Sequence, residues 1–291
     1  QPFLLNSIST VAAKWFPIEE RATAAGLGMV ASFFGIALGE VLSPILMLNF
    51  GIVNMQMIYG LIAAFSVVLF LVFTREAPPT PPCEPGQETR ALMLDGLKSM
   101  LRMREIWILL ALFLVGMGIF NGISTWIEDI IRPKGFSVLD AGNLAGLLML
   151  GGIFGVAVIP ILSDKLRKRK FFLFTGLIFS LPGLIGFTFA NTYWPMMISM
   201  FSLGFFLMSL APIGYQYAAE ITFPAPEGTS NGLLNLAGQL SVIFIYGMEA
   251  FKDSNGSYNQ PLVFLIGLLV ICCLLVPLMQ ESELIQVKAE A

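Results

Sequence analysis

Long hydrophobic blocks, separated by short polar and charged segments, run along the whole 291-residue chain. A hydrocarbon core about 30 Å thick takes roughly 20 apolar residues as a helix, and most of the blocks are at least that long. No alternating run of about ten residues, typical of membrane β-strands, is present. The pattern predicts an all-α membrane protein with nine spans, at about 1–13, 22–48, 54–74, 106–128, 141–163, 171–190, 195–218, 230–250 and 261–279.

The composition indicates that lipid is the solvent for most of the surface. Hydrophobic residues make up 56% of the chain and charged residues 12%, about half the charge of an average soluble domain. A soluble fold could not hide this much apolar surface, because it needs a polar exterior. The net charge of −3 does not indicate a nucleic-acid partner, so we expect the bilayer and a small solute as partners.

The basic residues predict the orientation of the spans. When the segment between the first two spans is placed inside, only Arg132, Lys134 and Lys252 fall outside, which leaves 13 of the 16 lysines and arginines inside. Such a bias is typical of cytoplasmic loops. The model of alternating spans then predicts a cytoplasmic C-terminus.

Two distant segments, 16–27 and 223–233, resemble each other. Each contains Phe-Pro, an acidic residue and Thr, followed by small residues that open a helix. They lie six predicted spans apart and in the same orientation, and parallel six-helix repeats are the plan of the major facilitator fold. The sequence therefore predicts nine of the twelve helices of that fold, the fourth to the twelfth, with three helices missing before them.

This repeat gives a domain organisation. We expect the last three helices of the N-terminal bundle at 1–74 and a complete C-terminal bundle at 106–280. Between them, 75–105 is predicted to be a cytoplasmic linker with a short interfacial helix, since its Pro-rich part at 78–82 cannot be membrane helix. Residues 281–291 are predicted to be a cytoplasmic tail.

Charged residues at the predicted inner ends of the spans are candidates for gating. The segment 163–170 is similar to the major facilitator loop signature Gly-x-x-x-Asp-Arg-x-Gly-Arg-Arg, which places Asp164 and Arg167 at the inner gate. Cytoplasmic charge that merely sets topology is the alternative for the basic residues. We expect Glu220 to pair with basic loop groups, and Glu227 in the second repeat is a further gating candidate.

The segment 211–235, which contains Ala-Glu-Ile-Thr-Phe-Pro and Glu-Gly-Thr-Ser, resembles the feline leukaemia virus subgroup C receptor family (solute carrier family 49). So do 1–6, 14–16 and 35–39, and the resemblance extends over essentially the whole chain. It implies a facilitator-type carrier, and for its location we expect the plasma membrane. Members of this family are linked to choline and related small organic cations, to haem and to pyridoxine.

The resemblance also implies a binding site. In the choline carriers an aromatic cage with nearby glutamines holds the quaternary ammonium group, for which cation–π contacts are suited. The glutamine of the eleventh helix matches Gln239, the tyrosine position of the seventh helix falls on Asn121, and the glutamine position of the fifth helix falls on Phe33.

Polar residues within the spans are the candidates for substrate binding, because polar side chains at membrane depth usually face a cavity or another helix. Gln239 and Asn235 are four residues apart and share a helix face, as do Asn121 and Thr125. Amide packing between helices, beside Gly238, is the alternative for the first pair.

Three further residues complete the candidate set. Trp126 is either a wall of the site or an interface anchor, and Tyr215 is an aromatic candidate. Glu40 lies well inside an apolar run, so it is either a cation-binding or proton-coupling group or held by a local structural partner.

The leading functional hypothesis is a secondary transporter that works by alternating access. A non-transporting receptor or sensor with the same fold is the alternative. The sequence contains no His-Glu metal motif, nucleophile elbow or phosphate loop, so we do not expect an enzyme, a cofactor or a metal site. A monomer is expected, and without the three preceding helices the chain is not expected to transport.

Overall fold

The computed structural model of the chain describes residues 11, 15, 21–75, 93–222, 227–253 and 256–282. All regular structure in these ranges is helical. The chain divides into two compact units, Gln1–Thr89 and Arg90–Ala291. The loops at 16–20 and 223–226, the Pro-rich segment and residues 283–291 lie outside the described residues, and so does the first predicted span apart from Val11.

The first unit is dominated by one helix, α1 (Arg21–Phe73), which is interrupted at Gly51. Gly51 has φ 77° and ψ 162°, a left-handed backbone that glycine adopts without steric cost. The break coincides with the gap between the predicted spans 22–48 and 54–74. Large apolar side chains after it are exposed, as lipid contact requires; Leu71 is 73% exposed and Phe73 77%.

The second unit contains eight helices among its described residues. A short helix, α2, lies within the predicted interfacial segment, and the others follow the predicted spans with ends shifted by a few residues. The bounds are α2 Met93–Met100, α3 Arg104–Ile131, α4 Val138–Leu166, α5 Arg169–Phe189, α6 Tyr193–Ile221, α7 Glu227–Leu240, α8 Val242–Ala250 and α9 Asn259–Leu275, with 3₁₀ turns at Arg132–Lys134 and Val276–Leu278.

Side chains fix several of the helix ends. Ser137 and Asp140 form a capping box that begins α4, because each side chain bonds the other residue's backbone N–H. The helix ends at Arg167, which has a left-handed φ of 52°. At the end of α5, Lys134 Nζ donates to the carbonyl oxygens of Phe187, Thr188 and Ala190 at 2.8–3.2 Å. An ammonium group there satisfies carbonyls that have no partner within the helix.

Helix α6 packs between α4 and α5, and α3 packs against α7, α8 and α9. The α4–α6 contact is a backbone contact that only glycine permits. A Cβ atom on Gly155 would overlap the carbonyl oxygen of Phe205, and one on Gly204 would overlap that of Leu148. This close approach of small residues is how helices associate in lipid.

Seven helices in the described part of the chain are long and apolar enough to span a membrane. The expected number of nine is therefore not confirmed. The predicted spans 22–48 and 54–74 lie in the single broken helix α1, and the first predicted span lies outside the described residues. The predicted span 230–250 is divided at Ser241 into α7 and α8.

Candidate functional site

The surface of α7 carries two neighbouring exposed rows of opposite character. One row contains the predicted residues Asn235 and Gln239, both exposed. The other is apolar, with Leu236 57% and Leu240 60% exposed. Leucine suits lipid, whereas amides at membrane depth are costly unless they face water, a ligand or another polar group. The amide row is therefore the candidate binding face.

Tyr215 on α6 joins this row. Its hydroxyl donates to Oδ1 of Asn235 at 2.6 Å, and its ring lies 4.8 Å from that of Phe113. The bond leaves the Asn235 amide nitrogen to act as a donor on the exposed side. Among the described residues, the Gln239 amide has no hydrogen-bond partner, so both of its ends are available to a ligand.

Asn121 lies at mid-length of α3, but its amide is engaged within the bundle. Nδ2 donates to Oγ of Ser241 at 2.9 Å. Ser241 is fully buried and occupies the break between α7 and α8, two residues after Gln239. Its predicted neighbour on α3, Thr125, is exposed. Ser241 was not among the sequence candidates, since a serine inside an apolar span gives no distinctive signal.

Trp126 belongs to an aromatic and charged cluster at the end of the unit that the basic residues predict to be the outer one. Its Nε1 donates to the carbonyl oxygen of Ile245 at 3.0 Å, and its ring stacks on Tyr258 at 5.6 Å. The Tyr258 hydroxyl donates to Glu249 at 2.5 Å, and Glu249 pairs with Lys252. Burial and the bond to the Glu249 carboxylate raise the pKa of Tyr258, so its hydroxyl remains a donor at neutral pH.

The other end, which the basic residues predict to be the inner one, contains an ion cluster centred on the buried side chain of Arg169. Its guanidinium pairs with Glu220 at 3.0 Å and with Asp164, and donates to Ser163 at 3.2 Å. The Arg169 and Glu220 side chains are only 7% and 10% exposed. Glu220 thus pairs with a basic residue at the start of α5. Arg169 was not singled out in the sequence, since five basic residues follow one another closely there and only burial distinguishes it.

The segment after α9 folds back onto this inner end. Glu281 accepts from the backbone N–H groups of Arg169 and Lys170 at 3.0–3.2 Å, which are the unpaired donors at the start of α5. Tyr217 donates to the carbonyl oxygen of Gln280 at 2.5 Å. Residues 276–282 are therefore an integral part of the bundle's inner end.

The remaining residues predicted from the sequence do not belong to the clusters described above. Glu40 is half-buried on α1, in the first unit, and among the described residues its carboxylate forms no hydrogen bond or ion pair. Arg167 is exposed at the end of α4 and has an interaction partner. The side chains of Glu227 and Phe33 lie outside the described residues. No group of His, Cys, Asp and Glu in the described ranges could hold a metal ion.

Comparisons with known proteins extend these observations. A rat protein named choline/ethanolamine transporter FLVCR2 is 28% identical over 276 residues, which are 88% of this chain and 50% of the relative. Zebrafish solute carrier family 49 member A3 is 28% identical over 313 residues, covering 100% of this chain and 66% of the relative. The chain thus spans about half to two thirds of the length of these relatives.

The fold also matches a solved structure. A bacterial homologue of the human lysosomal transporter Spinster, crystallised inward-facing and unoccupied, has a TM-score of 0.65 and 17% identity, covering 93% of this chain and 72% of that one. This likeness concerns the fold alone. The seven apolar helices and these relatives make the chain part of an integral multi-pass membrane protein. The profile of the Major Facilitator Superfamily matches residues 1–246 and 128–283, and the chain belongs to that family.

Proposed function

We propose that the chain is part of a secondary transporter that moves a small organic solute across a membrane by alternating access. The observation that carries the proposal is the exposed amide row of Asn235 and Gln239 in the middle of a membrane helix. Membership of a transporter family supports the same function, and it agrees with the prediction that the chain is not an enzyme.

The chemistry of the amide row favours a choline-like organic ammonium as the substrate class. Gln239 and Asn235 offer amide groups, and Tyr215 offers an aromatic ring beside them. The charged side chains of the described second unit lie near helix ends, away from this row. A weakly hydrated quaternary ammonium needs ring faces and oxygen dipoles more than a formal counter-charge. The printed function of the rat relative, choline/ethanolamine transport, supports this choice.

We place the protein in the plasma membrane as a monomer with a cytoplasmic C-terminus and no nucleic-acid partner. The orientation rests on the basic residues. The cluster from Lys165 to Lys170 lies at the same end of the bundle as Glu281, since Glu281 caps the start of α5. The excess of Lys and Arg at that end supports the cytoplasmic side.

A non-transporting sensor is the alternative function, since an exposed polar row can bind a ligand without moving it. The two functions differ in whether the protein exchanges solute between the two sides of the membrane. A carrier loaded on one side accelerates the movement of labelled solute from the other side, whereas a sensor shows saturable binding without such acceleration.

The test uses the full-length protein in proteoliposomes and radiolabelled choline. We expect saturable uptake that is accelerated by unlabelled choline on the opposite side. Gln239→Ala should raise KM roughly three- to tenfold, the effect of losing one hydrogen bond between the amide and the choline hydroxyl. Leu240→Ala, on the apolar row, is the matched control and should leave KM unchanged. Choline binding without accelerated exchange would instead support the sensor.

A further inference from the structure

Four interactions join α3 to the segment that runs from Ser241 through α8. Phe244 lies against Gly118 and Met248 against Gly122, so closely that a Cβ atom on either glycine would overlap the partner side chain. Trp126 donates to Ile245 on the outer side of this contact. Helix α8, the second of the two helices within the predicted span 230–250, is therefore fixed to α3.

The fourth of these interactions lies at the helix break. The Ser241 N–H donates to the carbonyl oxygen of Gly238, three residues back, at 3.2 Å, and the Phe244 N–H donates to Ser241 at 2.9 Å in the same way. Such three-residue bonds tighten a helix and often mark a functional irregularity. The Asn121 amide donates to the Ser241 hydroxyl at this point.

The tightened turn sets the rotation of α7 relative to α8. Gln239 precedes Ser241 by two residues and is exposed, whereas Ser241 is fully buried against Asn121. Without the bond from Asn121 to the Ser241 hydroxyl, the turn is free to relax to the ordinary α-helical pattern, in which each N–H donates to the carbonyl oxygen four residues back. The helix would then rotate, and Gln239 would move toward the direction now taken by Leu240.

We infer that Asn121 and Ser241 are positioning residues, which hold the helix break that directs Gln239 at the substrate. This inference rests on the proposed function and deepens it, because it assigns the Asn121 amide to Ser241 and not to a direct contact with the ligand. The pair acts through a single hydrogen bond, so removing either partner has the same consequence as removing both.

The kinetic arm of the test is a double-mutant cycle on choline uptake by the full-length protein. We expect Asn121→Ala and Ser241→Ala each to raise KM roughly three- to tenfold with little change in kcat. The double variant should show no further rise, since the second substitution removes nothing that remains. Ser180→Ala is the matched control, because Ser180 is also fully buried but donates only to Gly176 on its own helix.

A second arm needs no substrate. Gln239→Cys is introduced into the full-length protein after its native cysteines are replaced by alanine, and its reaction with a water-soluble maleimide is timed in membranes. We expect the reaction to slow when Asn121→Ala or Ser241→Ala is added, and to keep its rate with Ser180→Ala.

The kinetic and labelling measurements together distinguish the positioning role from the proposed transport of choline. Unchanged labelling and unchanged KM in both variants, in a protein that transports choline, would overturn the positioning role and leave transport intact. Additive effects of the two substitutions would overturn it as well. If the wild type does not take up choline, the proposed substrate is wrong, and the labelling rates alone decide the positioning role.

Discussion

Individual polar side chains in this protein differ chiefly in whether they already have hydrogen-bond partners within the protein. Asn121 and Gln239 are both amides within helices long enough to span a membrane, yet the first is bonded to Ser241 and the second is exposed without a partner among the described residues. An unpaired amide in lipid is costly, whereas one that meets water or a ligand is not. This difference is the basis for the proposed positioning role of Asn121 and the proposed binding role of Gln239.

Arg169 and Arg132 permit a matched test at this scale. Arg169→Ala leaves Glu220 buried without its cation, and losing one partner of a buried pair costs about 3–5 kcal/mol. We therefore expect a marked fall in the thermal unfolding temperature of the detergent-solubilised protein. Arg132→Ala removes two solvent-exposed ion pairs, with Glu128 and Asp129, so little change is expected. Equal effects of the two substitutions would contradict the assignment of a buried ion cluster.

The sequence identified most of these residues by type but not by partner. Gln239, Asn235 and Tyr215 were predictable because amides and tyrosine are conspicuous in apolar runs. The roles of Ser241 and Arg169 were not, since serine is common in membrane helices and Arg169 is one of several adjacent basic residues. Burial and hydrogen-bond partners, which depend on distant helices, distinguish them.

At the scale of whole elements, the hydrophobic blocks predicted the helices and the break in α1, but not the division between α7 and α8. The six spans expected from 106 to 279 coincide with α3 to α9, because block length and charge determine where helices can cross lipid. The division at Ser241 has no counterpart in the hydrophobic pattern. It depends on a hydrogen bond from another helix, which no local signal encodes.

Glycine substitutions test how α4 and α6 are held together. Gly204→Ala places a Cβ atom against the Leu148 carbonyl oxygen, so the two helices must separate and lose their close packing. We expect a lower unfolding temperature and a smaller monodisperse fraction in size-exclusion chromatography. Gly267→Ala, in open space on α9, is the control and should be neutral or stabilise by up to about 1 kcal/mol. Tolerance of Gly204→Ala would show that the backbone contact is not required.

At the scale of the molecule, the two ends of the second unit are chemically distinct. Lys165 lies at the end with the ion cluster, and Lys252 lies at the end with Trp126 and Tyr258. In intact cells, we expect a membrane-impermeant maleimide to label Lys252→Cys and to spare Lys165→Cys until the membrane is permeabilised. Both variants are made without the native cysteines. The reverse pattern would contradict the orientation predicted from the basic residues.

The account as a whole requires that the amide row of α7 face water while the adjacent leucine row faces lipid. The direct measurement is the modification rate of Gln239→Cys and Leu240→Cys by a small water-soluble maleimide, in lipid bilayers and in the full-length protein without its native cysteines. We predict rapid reaction at position 239 that choline slows, and no reaction at position 240. Reaction at 240 with none at 239 would place Gln239 against the acyl chains and contradict a binding face on this helix.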